Sequence, residues 1–350
     1  MKTMIFQIDQ LVRPNVAALK PYSSARDEFE DFDADMVFID ANENPNETDV
    51  NRYPDPQQRK VKEVLAKQQD TDVKNILLGN GSDEVLDLLY RAFCEPASDN
   101  VITLPPTYGM YKVLAAINNV ENREVLLSPD FQPRVKDILG AADERTKLLF
   151  LCSPNNPTGN SFSEDLVAEL LEQFAGLVVI DEAYIDFSGR ESWLKRLSDY
   201  PNLVITQTLS KAYGMAGIRL GICYASEEII AVLNKIKPPY NVNELTQQRA
   251  WKRLLESGKV GVEIGEIKEQ KTRLYTELQQ VDYVAEVYPS DANFILARVD
   301  DAGKRYDQLI SQGIVARNRT TQPLCENCLR FTVGTAEENE KLIRVLRELK

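Results

Sequence analysis

The sequence predicts an α/β fold, with a mostly parallel central sheet covered by helices and a smaller α+β domain at the C-terminal end. Three observations carry this reading. Runs such as Leu148-Leu149-Phe150-Leu151 and Leu177-Val178-Val179-Ile180 are apolar at every position, the pattern of strands buried on both faces. Segments with helical spacing separate these runs, and parallel strands need such crossover connections. Near residue 282 the rhythm changes to short strands and helices in quick succession, and the 350 residues exceed the ~150 of one typical domain.

The elements follow in order. Residues 20–56 are rich in Asp, Glu, Asn and Pro without periodicity and read as an irregular arm. It is turn-prone at Asn42-Glu43-Asn44-Pro45 and Arg52-Tyr53-Pro54-Asp55-Pro56. Helical spacing covers 57–67, an apolar strand 76–78, and a helix 83–93 with Ser82 as its N-cap. A strand at 101–104, a helix at 108–117, a buried strand at 147–152 and a helix at 163–174 opened by Ser163 follow. Strands at 177–180, 203–207 and 221–224 complete the large sheet. Residues 227–280 read as almost wholly helical, and 260–280 have the length and charge pattern of a long connecting helix. Beyond the boundary come strands 285–287 and 294–299, helix 304–312, strand 329–333 and helix 337–348.

Composition excludes several classes of function. With 41 basic against 54 acidic residues the net charge is −13, which repels nucleic acid and anionic membranes. Any anionic ligand must then be held by a local cluster of Arg, Lys and backbone N–H groups. There is no histidine, so Ser-His-Asp or Cys-His catalysis, His-ligated zinc and an imidazole base are all excluded. Proton transfer falls to Lys, Asp, Glu, Tyr or Cys. Five cysteines, with a single C-x-x-C at Cys325 and Cys328 and no second pair, point to free thiols rather than zinc or disulfides. No signal peptide or membrane-length apolar run is visible, so a cytoplasmic location is expected.

Four segments sit where the strands should end, the ligand-binding edge of an open α/β sheet. Gly79-Asn80-Gly81-Ser82-Asp83-Glu84 leads into a helix start whose N–H groups and dipole suit a phosphate. Ser153-Pro154-Asn155-Asn156-Pro157-Thr158-Gly159 follows a buried strand with a rigid turn that aims an amide outward. Asp181-Glu182-Ala183-Tyr184 places a carboxylate where burial is costly unless it meets a cation. Ser210 to Gly221 sets Lys211 among Gly, Ala and Met, where lost solvation lowers its pKa and suits it to Schiff-base chemistry, with Arg219 as a phosphate partner. Each segment alone also fits an ordinary turn. Together they supply an amine, a carboxylate for a pyridinium nitrogen, an Asn and a Tyr for a phenolate oxygen, and a phosphate cup, which are the needs of pyridoxal 5′-phosphate.

The motifs P-N-N-P-T-G, D-E-A-Y and S-K-x-x-G-x-x-G-x-R-x-G occur in that order, with Asp181 and Lys211 30 residues apart. In this the chain resembles the fold-type I pyridoxal-phosphate-dependent aminotransferases. The resemblance runs along the chain and is nearest to the histidinol-phosphate aminotransferases. It rests also on Leu19-Lys20-Pro21-Tyr22, Asn42-Glu43-Asn44-Pro45, Arg52-Tyr53-Pro54, Gly81-Ser82-Asp83-Glu84 and Pro106-Thr107-Tyr108, and on a tail with Arg317, Gln322-Pro323 and Cys328-Leu329-Arg330-Phe331-Thr332-Val333-Gly334-Thr335.

The resemblance implies an arm (1–45) packing with the small domain, a large cofactor-binding domain (46–282) and a small C-terminal domain (283–350). It implies that Lys211 carries the cofactor as a Schiff base and then moves protons. Asp181 pairs with the ring nitrogen, Asn156 and Tyr184 hold the phenolate oxygen, and Tyr108 stacks on the ring. Ser82, Asp83, Ser210 and Arg219 surround the cofactor phosphate, and Tyr53 reaches the phosphate of a neighbouring subunit in a homodimer. Tyr22, Arg317 and Arg330 meet the substrate's phosphate, and Asn42 is a candidate for the imidazole. With Arg319 close by, Arg317 also fits a solvated charge. The implied reaction exchanges an amino group between L-histidinol phosphate and 2-oxoglutarate. Two other activities share these cofactor residues: an aromatic amino acid aminotransferase and a threonine-phosphate decarboxylase-like lyase.

Overall fold

A computed structural model describes residues 7–21 and 37–349. Seven strands form the large sheet: β1 (Ile76–Asn80), β2 (Asn100–Thr103), β3 (Glu121–Glu124), β4 (Thr146–Cys152), β5 (Leu177–Asp181), β6 (Leu203–Thr208) and β7 (Leu220–Ala225). Their order is β1-β7-β6-β5-β4-β2-β3. Neighbours run parallel from β6 to β3, while β7 is antiparallel to both β1 and β6.

The unbroken apolar runs are explained by what each residue meets. In β5, Leu177 and Val179 enter one apolar core and Val178 and Ile180 another, on opposite faces of the sheet. The helices α1 (Pro14–Ala18), α2 (Arg59–Gln69), α3 (Ser82–Phe93), α4 (Met110–Ile117), α5 (Val135–Ala141), α6 (Glu164–Gln173), α7 (Glu227–Ile236) and α8 (Glu244–Leu254) cover these faces. Leu86 and Leu89 of α3, Tyr111 and Leu114 of α4 and Leu233 of α7 fill one core. Leu65 of α2, Ile138 of α5, Leu170 of α6 and Leu254 of α8 fill the other.

The long helix α9 (Ser257–Leu278) leads to an antiparallel sheet of β8 (Val284–Val287), β9 (Phe294–Val299), β10 (Arg317–Asn318) and β11 (Cys328–Thr332), in the order β10-β11-β9-β8. Helices α10 (Ala302–Ser311) and α11 (Ala336–Glu348) complete this unit. One face of the sheet meets α9, α10 and α11 through Ile295, Ala297, Leu329 and Phe331. Strand alternation therefore sends Phe294 and Arg330 to the other face, where Phe294 packs with Tyr184, Phe187 and Ala212 of the large sheet's loops.

Several expectations are corrected. The helical stretch expected over 227–280 is three helices, because Pro238 and Pro239 cannot continue α7. Gly81, at φ 80°, occupies the N-cap of α3 and Ser82 is its first residue, because the turn needs a left-handed backbone. Ser163 stands at the N-cap of α6, but its hydroxyl makes no capping bond. Of the arm, the stretch 7–21 packs on the large sheet's helices. Val16 lies in the core with α3 and α7, Arg13 pairs with Glu95 at 3.1 Å, and Lys235 Nζ donates to the Ala17 carbonyl at 3.1 Å. Among the described residues no helix is long and apolar enough to cross a membrane.

Candidate active site

The loops that leave the C-terminal ends of β4, β5 and β6, the start of α3 and the exposed face of β11 enclose a cavity of ≈ 470 Å³. Its lining includes five basic side chains, Lys211, Arg219, Arg317, Arg319 and Arg330, against two acidic ones, Asp83 and Asp181. An acidic chain thus concentrates positive charge in one place.

Asp181 ends β5 and is buried. Burial pushes its pKa up, while hydrogen bonds from the Tyr111 hydroxyl and the Ala183 N–H act against this. The Tyr111 bond measures 2.7 Å and the Ala183 bond 3.2 Å. Tyr111 is itself fixed by stacking on Phe150, with centroids 4.9 Å apart. A carboxylate so held at a cavity wall is a site for a cationic N–H.

The start of α3 is shaped by two glycines. A Cβ on Gly81 would lie 2.6 Å from Arg219 Nη2, and one on Gly221 would lie 2.2 Å from the Ser82 nitrogen. Only their absence lets β7 and the Arg219 side chain close against the first turn of α3, whose N–H groups lack helical partners. Arg219, at φ 56°, sits 3.7 Å from Asp83, whose carboxylate also accepts from the Tyr108 hydroxyl at 3.1 Å. Ser210 joins this cup through Thr208, which is 3.0 Å from its hydroxyl. The arrangement suits a phosphate.

Lys211 reaches into the cavity with Nζ 5.7 Å from the Tyr184 ring centroid. Burial and then the charge of Arg330 lower its pKa, and Asp181 opposes them. Tyr184 packs edge-on against Phe294 at 5.1 Å, and its hydroxyl is pushed up, chiefly by burial. The loop after β4 is anchored by buried Asn155, whose amide donates to the Pro106 carbonyl at 2.8 Å and to Thr158 at 2.7 Å. That leaves Asn156 facing the cavity, where its Oδ1 accepts from Arg330 Nη1. Arg330 lies over the Phe294 ring at 5.0 Å, and its Nε is buried without a partner. Burial, then Arg319, lowers its pKa to about 10.

Eleven predicted site residues therefore meet in one cavity: Lys211, Asp181, Tyr184, Ser82, Asp83, Tyr108, Asn156, Ser210, Arg219, Arg330 and Arg317. Asn42 and Tyr53 do not line it. They border a second cavity of ≈ 420 Å³, where Tyr53 stacks on Tyr240 at 4.5 Å. Tyr22 lies outside the described residues. Sequence reasoning missed Tyr111, which reads as a core aromatic, although it stands three residues after Tyr108. It also set aside Arg319, which lines the cavity. The i, i+2 spacing from Arg317 is the signal that points to a shared face. Cys325 and Cys328 are buried free thiols. Among the described residues no cluster of acidic and cysteine side chains could hold a metal ion.

A family model for aminotransferase class I and II matches residues 30–346. The chain belongs to this family of amino-group-transferring enzymes. Among its relatives, a histidinol-phosphate aminotransferase of Flavobacterium johnsoniae is 69% identical over 345 residues, 98% of this chain and 99% of the relative. The crystal structure of the histidinol-phosphate aminotransferase from Clostridium acetobutylicum is 25% identical, with a TM-score of 0.79 over 86% of this chain and 91% of that one. The enzyme of that name from Sinorhizobium meliloti, solved with pyridoxal 5′-phosphate, is also 25% identical, with a TM-score of 0.79 over 86% and 83%.

Proposed function

We propose that this chain is a homodimeric, pyridoxal-phosphate-dependent histidinol-phosphate aminotransferase. It exchanges an amino group between L-histidinol phosphate and 2-oxoglutarate, giving imidazole acetol phosphate and L-glutamate. The observation that carries the reading is a single cavity joining a desolvated lysine, a buried carboxylate and unpaired arginines. A relative of that name, 69% identical, supports it. Residues 46–282 form the cofactor-binding domain and 283–350 the small domain.

The residues fit the cofactor: the glycine-shaped cup at α3 suits its phosphate, and Asp181 suits its ring nitrogen. When bound, it supplies an aldehyde that condenses with amines and a ring that accepts the electron pair left by a departing proton. Asp181, kept anionic by Tyr111, holds a proton on the ring nitrogen. Ser82, Asp83, Ser210 and Arg219 hold the cofactor phosphate, Asp83 through its backbone N–H. Tyr108 stacks on the ring. Because Asn156 Oδ1 is taken by Arg330, its NH₂ is left to donate to the phenolate oxygen, beside the Tyr184 hydroxyl.

Lys211 Nζ, its pKa lowered by burial, takes the proton from the substrate's amine-bearing carbon and later returns one. Arg317, Arg330 and Tyr22 hold the substrate phosphate, and a carboxylate of 2-oxoglutarate reuses these cations in the second half-reaction. Tyr53, half exposed, reaches the cofactor phosphate of the other subunit, and Asn42 lies beside it at the same rim. Five free thiols support a reducing, cytoplasmic setting.

The test is the absorption spectrum of the purified, cofactor-loaded protein before and after L-histidinol phosphate, without keto acid. Loss of the yellow band is expected. A yellow protein that bleaches with phenylalanine but not with histidinol phosphate would replace the substrate. A colourless protein that takes up no pyridoxal phosphate would remove the cofactor.

A further inference from the structure

We infer that Arg319 sets this enzyme's preference for a dianionic phosphate over a carboxylate at the substrate's anion site. The inference rests on the function proposed above and adds to it a residue whose role is selectivity rather than chemistry.

Arg319 is fixed by its backbone. Arg317 pairs in register with Arg330 across β10 and β11, and Asn318 with Leu329. The Arg319 N–H then donates to the Cys328 carbonyl at 2.8 Å, which extends the pairing one residue past β10. Its carbonyl accepts from the Gln322 N–H at 2.9 Å. The side chain joins Arg317 and Arg330 on the wall of the cavity that contains Lys211.

Three guanidiniums on one wall repel each other. Burial and Arg317 lower the Arg319 pKa, and Arg319 in turn lowers that of Arg330. Among the described residues no carboxylate on this wall relieves it. The two carboxylates of the cavity lie elsewhere: Asp83 beside Arg219, and Asp181 under the Tyr111 hydroxyl. The Nε atoms of both Arg319 and Arg330 are buried without a partner. The three guanidiniums line one cavity without a carboxylate partner among the described residues, and partly buried cations so placed call for a counter-charge, so they mark the place of an anion.

The number of cations separates the possible anions. A carboxylate carries one charge and two oxygens, which one guanidinium fork can saturate. A phosphate monoester carries between one and a half and two charges near neutral pH and offers three terminal oxygens. Arg330 with Arg317 already exceeds what a carboxylate needs. Arg319 matches the additional charge and the third oxygen.

The test uses cofactor-loaded wild type, Arg319→Gln and Arg319→Lys in single-turnover half-reactions, followed by the loss of the yellow band. L-histidinol phosphate and L-glutamate are titrated separately. In Arg319→Gln the half-saturation concentration for histidinol phosphate is expected to rise about 10- to 100-fold, with glutamate changed less than about threefold. Bleaching by glutamate also shows that the variant is folded and loaded. Arg319→Lys, which keeps the charge without the fork, should recover part of the loss. In wild type the affinity for histidinol phosphate should strengthen through about pH 6 as the dianion forms, and in Arg319→Gln this dependence should flatten. Equal losses with both substrates, or none with either, would overturn the inference. A wild type that fails to bleach with histidinol phosphate would instead overturn the proposed substrate.

Discussion

Tyr111→Phe isolates one hydrogen bond in the site. The phenol donates to buried Asp181 at 2.7 Å, while its ring stacks on Phe150 at 4.9 Å and meets Tyr108 edge-on at 5.5 Å. Phenylalanine keeps both ring contacts and removes only the hydroxyl. Asp181 then retains the Ala183 N–H at 3.2 Å as a donor, in a setting where burial already disfavours its charge. A hydrogen bond to a charged group contributes about 1.5–3 kcal/mol, and each 1.36 kcal/mol is one pKa unit or a factor of ten. The carboxylate pKa should therefore rise further, and pyridoxal phosphate should bind about 10- to 150-fold more weakly. The assay is titration of the apoprotein with pyridoxal phosphate, read by absorbance, with circular dichroism to establish the fold. A folded variant whose cofactor affinity stays within twofold of wild type would refute the argument that Tyr111 keeps Asp181 anionic.

Two further outcomes are expected. In the proposed homodimer, Tyr53→Phe should leave the mass measured by sedimentation unchanged and loosen cofactor retention about tenfold, and unchanged retention would reject the proposed contact between subunits. Glu182, buried beneath the site and accepting from Ser192, the Trp193 N–H and Gln207, has its pKa raised by burial to about 7. The folded state thus binds this proton more tightly than the unfolded chain, so its stabilising effect is complete below the ordinary carboxylate range and is lost as pH rises through 7. Between pH 5 and 8 urea unfolding of the wild-type apoprotein should lose about 2–3 kcal/mol that Glu182→Gln does not, and parallel declines would remove Glu182 as the source.

What was legible in the sequence depended on whether the signal was local. The inner strands announce themselves because both faces are buried and every residue must be apolar, as in β5. The edge strand β3, Glu-Asn-Arg-Glu, pairs only with β2 and has no such requirement, so its sequence carries no strand pattern. The break after α7 was legible in Pro238-Pro239, yet the helical periodicity on either side obscured it. Asp181, Lys211, Asn156 and Arg219 stand at strand ends among turn residues, where a charged or amide side chain contrasts with its surroundings. Tyr111 has no such contrast: an aromatic on the buried face of α4 looks the same whether its hydroxyl is idle or meets a carboxylate 70 residues away. Arg319 reads as surface charge until the pairing of β10 with β11 turns it toward the cavity.

Under the proposed function the two sheets divide the work in a way that separates chemistry from selectivity. Asp181, Lys211, Arg219 and the start of α3 all belong to the large sheet and its loops, and their positions depend on close approaches such as Gly221 against Ser82. The arginines of the proposed anion site come from β10, β11 and the residue that follows β10, where strand alternation decides which side chains face the cavity. Arg330 is the link, because it donates to Asn156 of the large sheet while standing on β11. A change at Arg330 must therefore disturb the amide beside the reacting centre as well as the substrate's anion. Among the described residues Arg317 and Arg319 make no such hydrogen bond to the large sheet, so changes there should alter which anion is accepted and leave the proton transfer proposed for Lys211 intact.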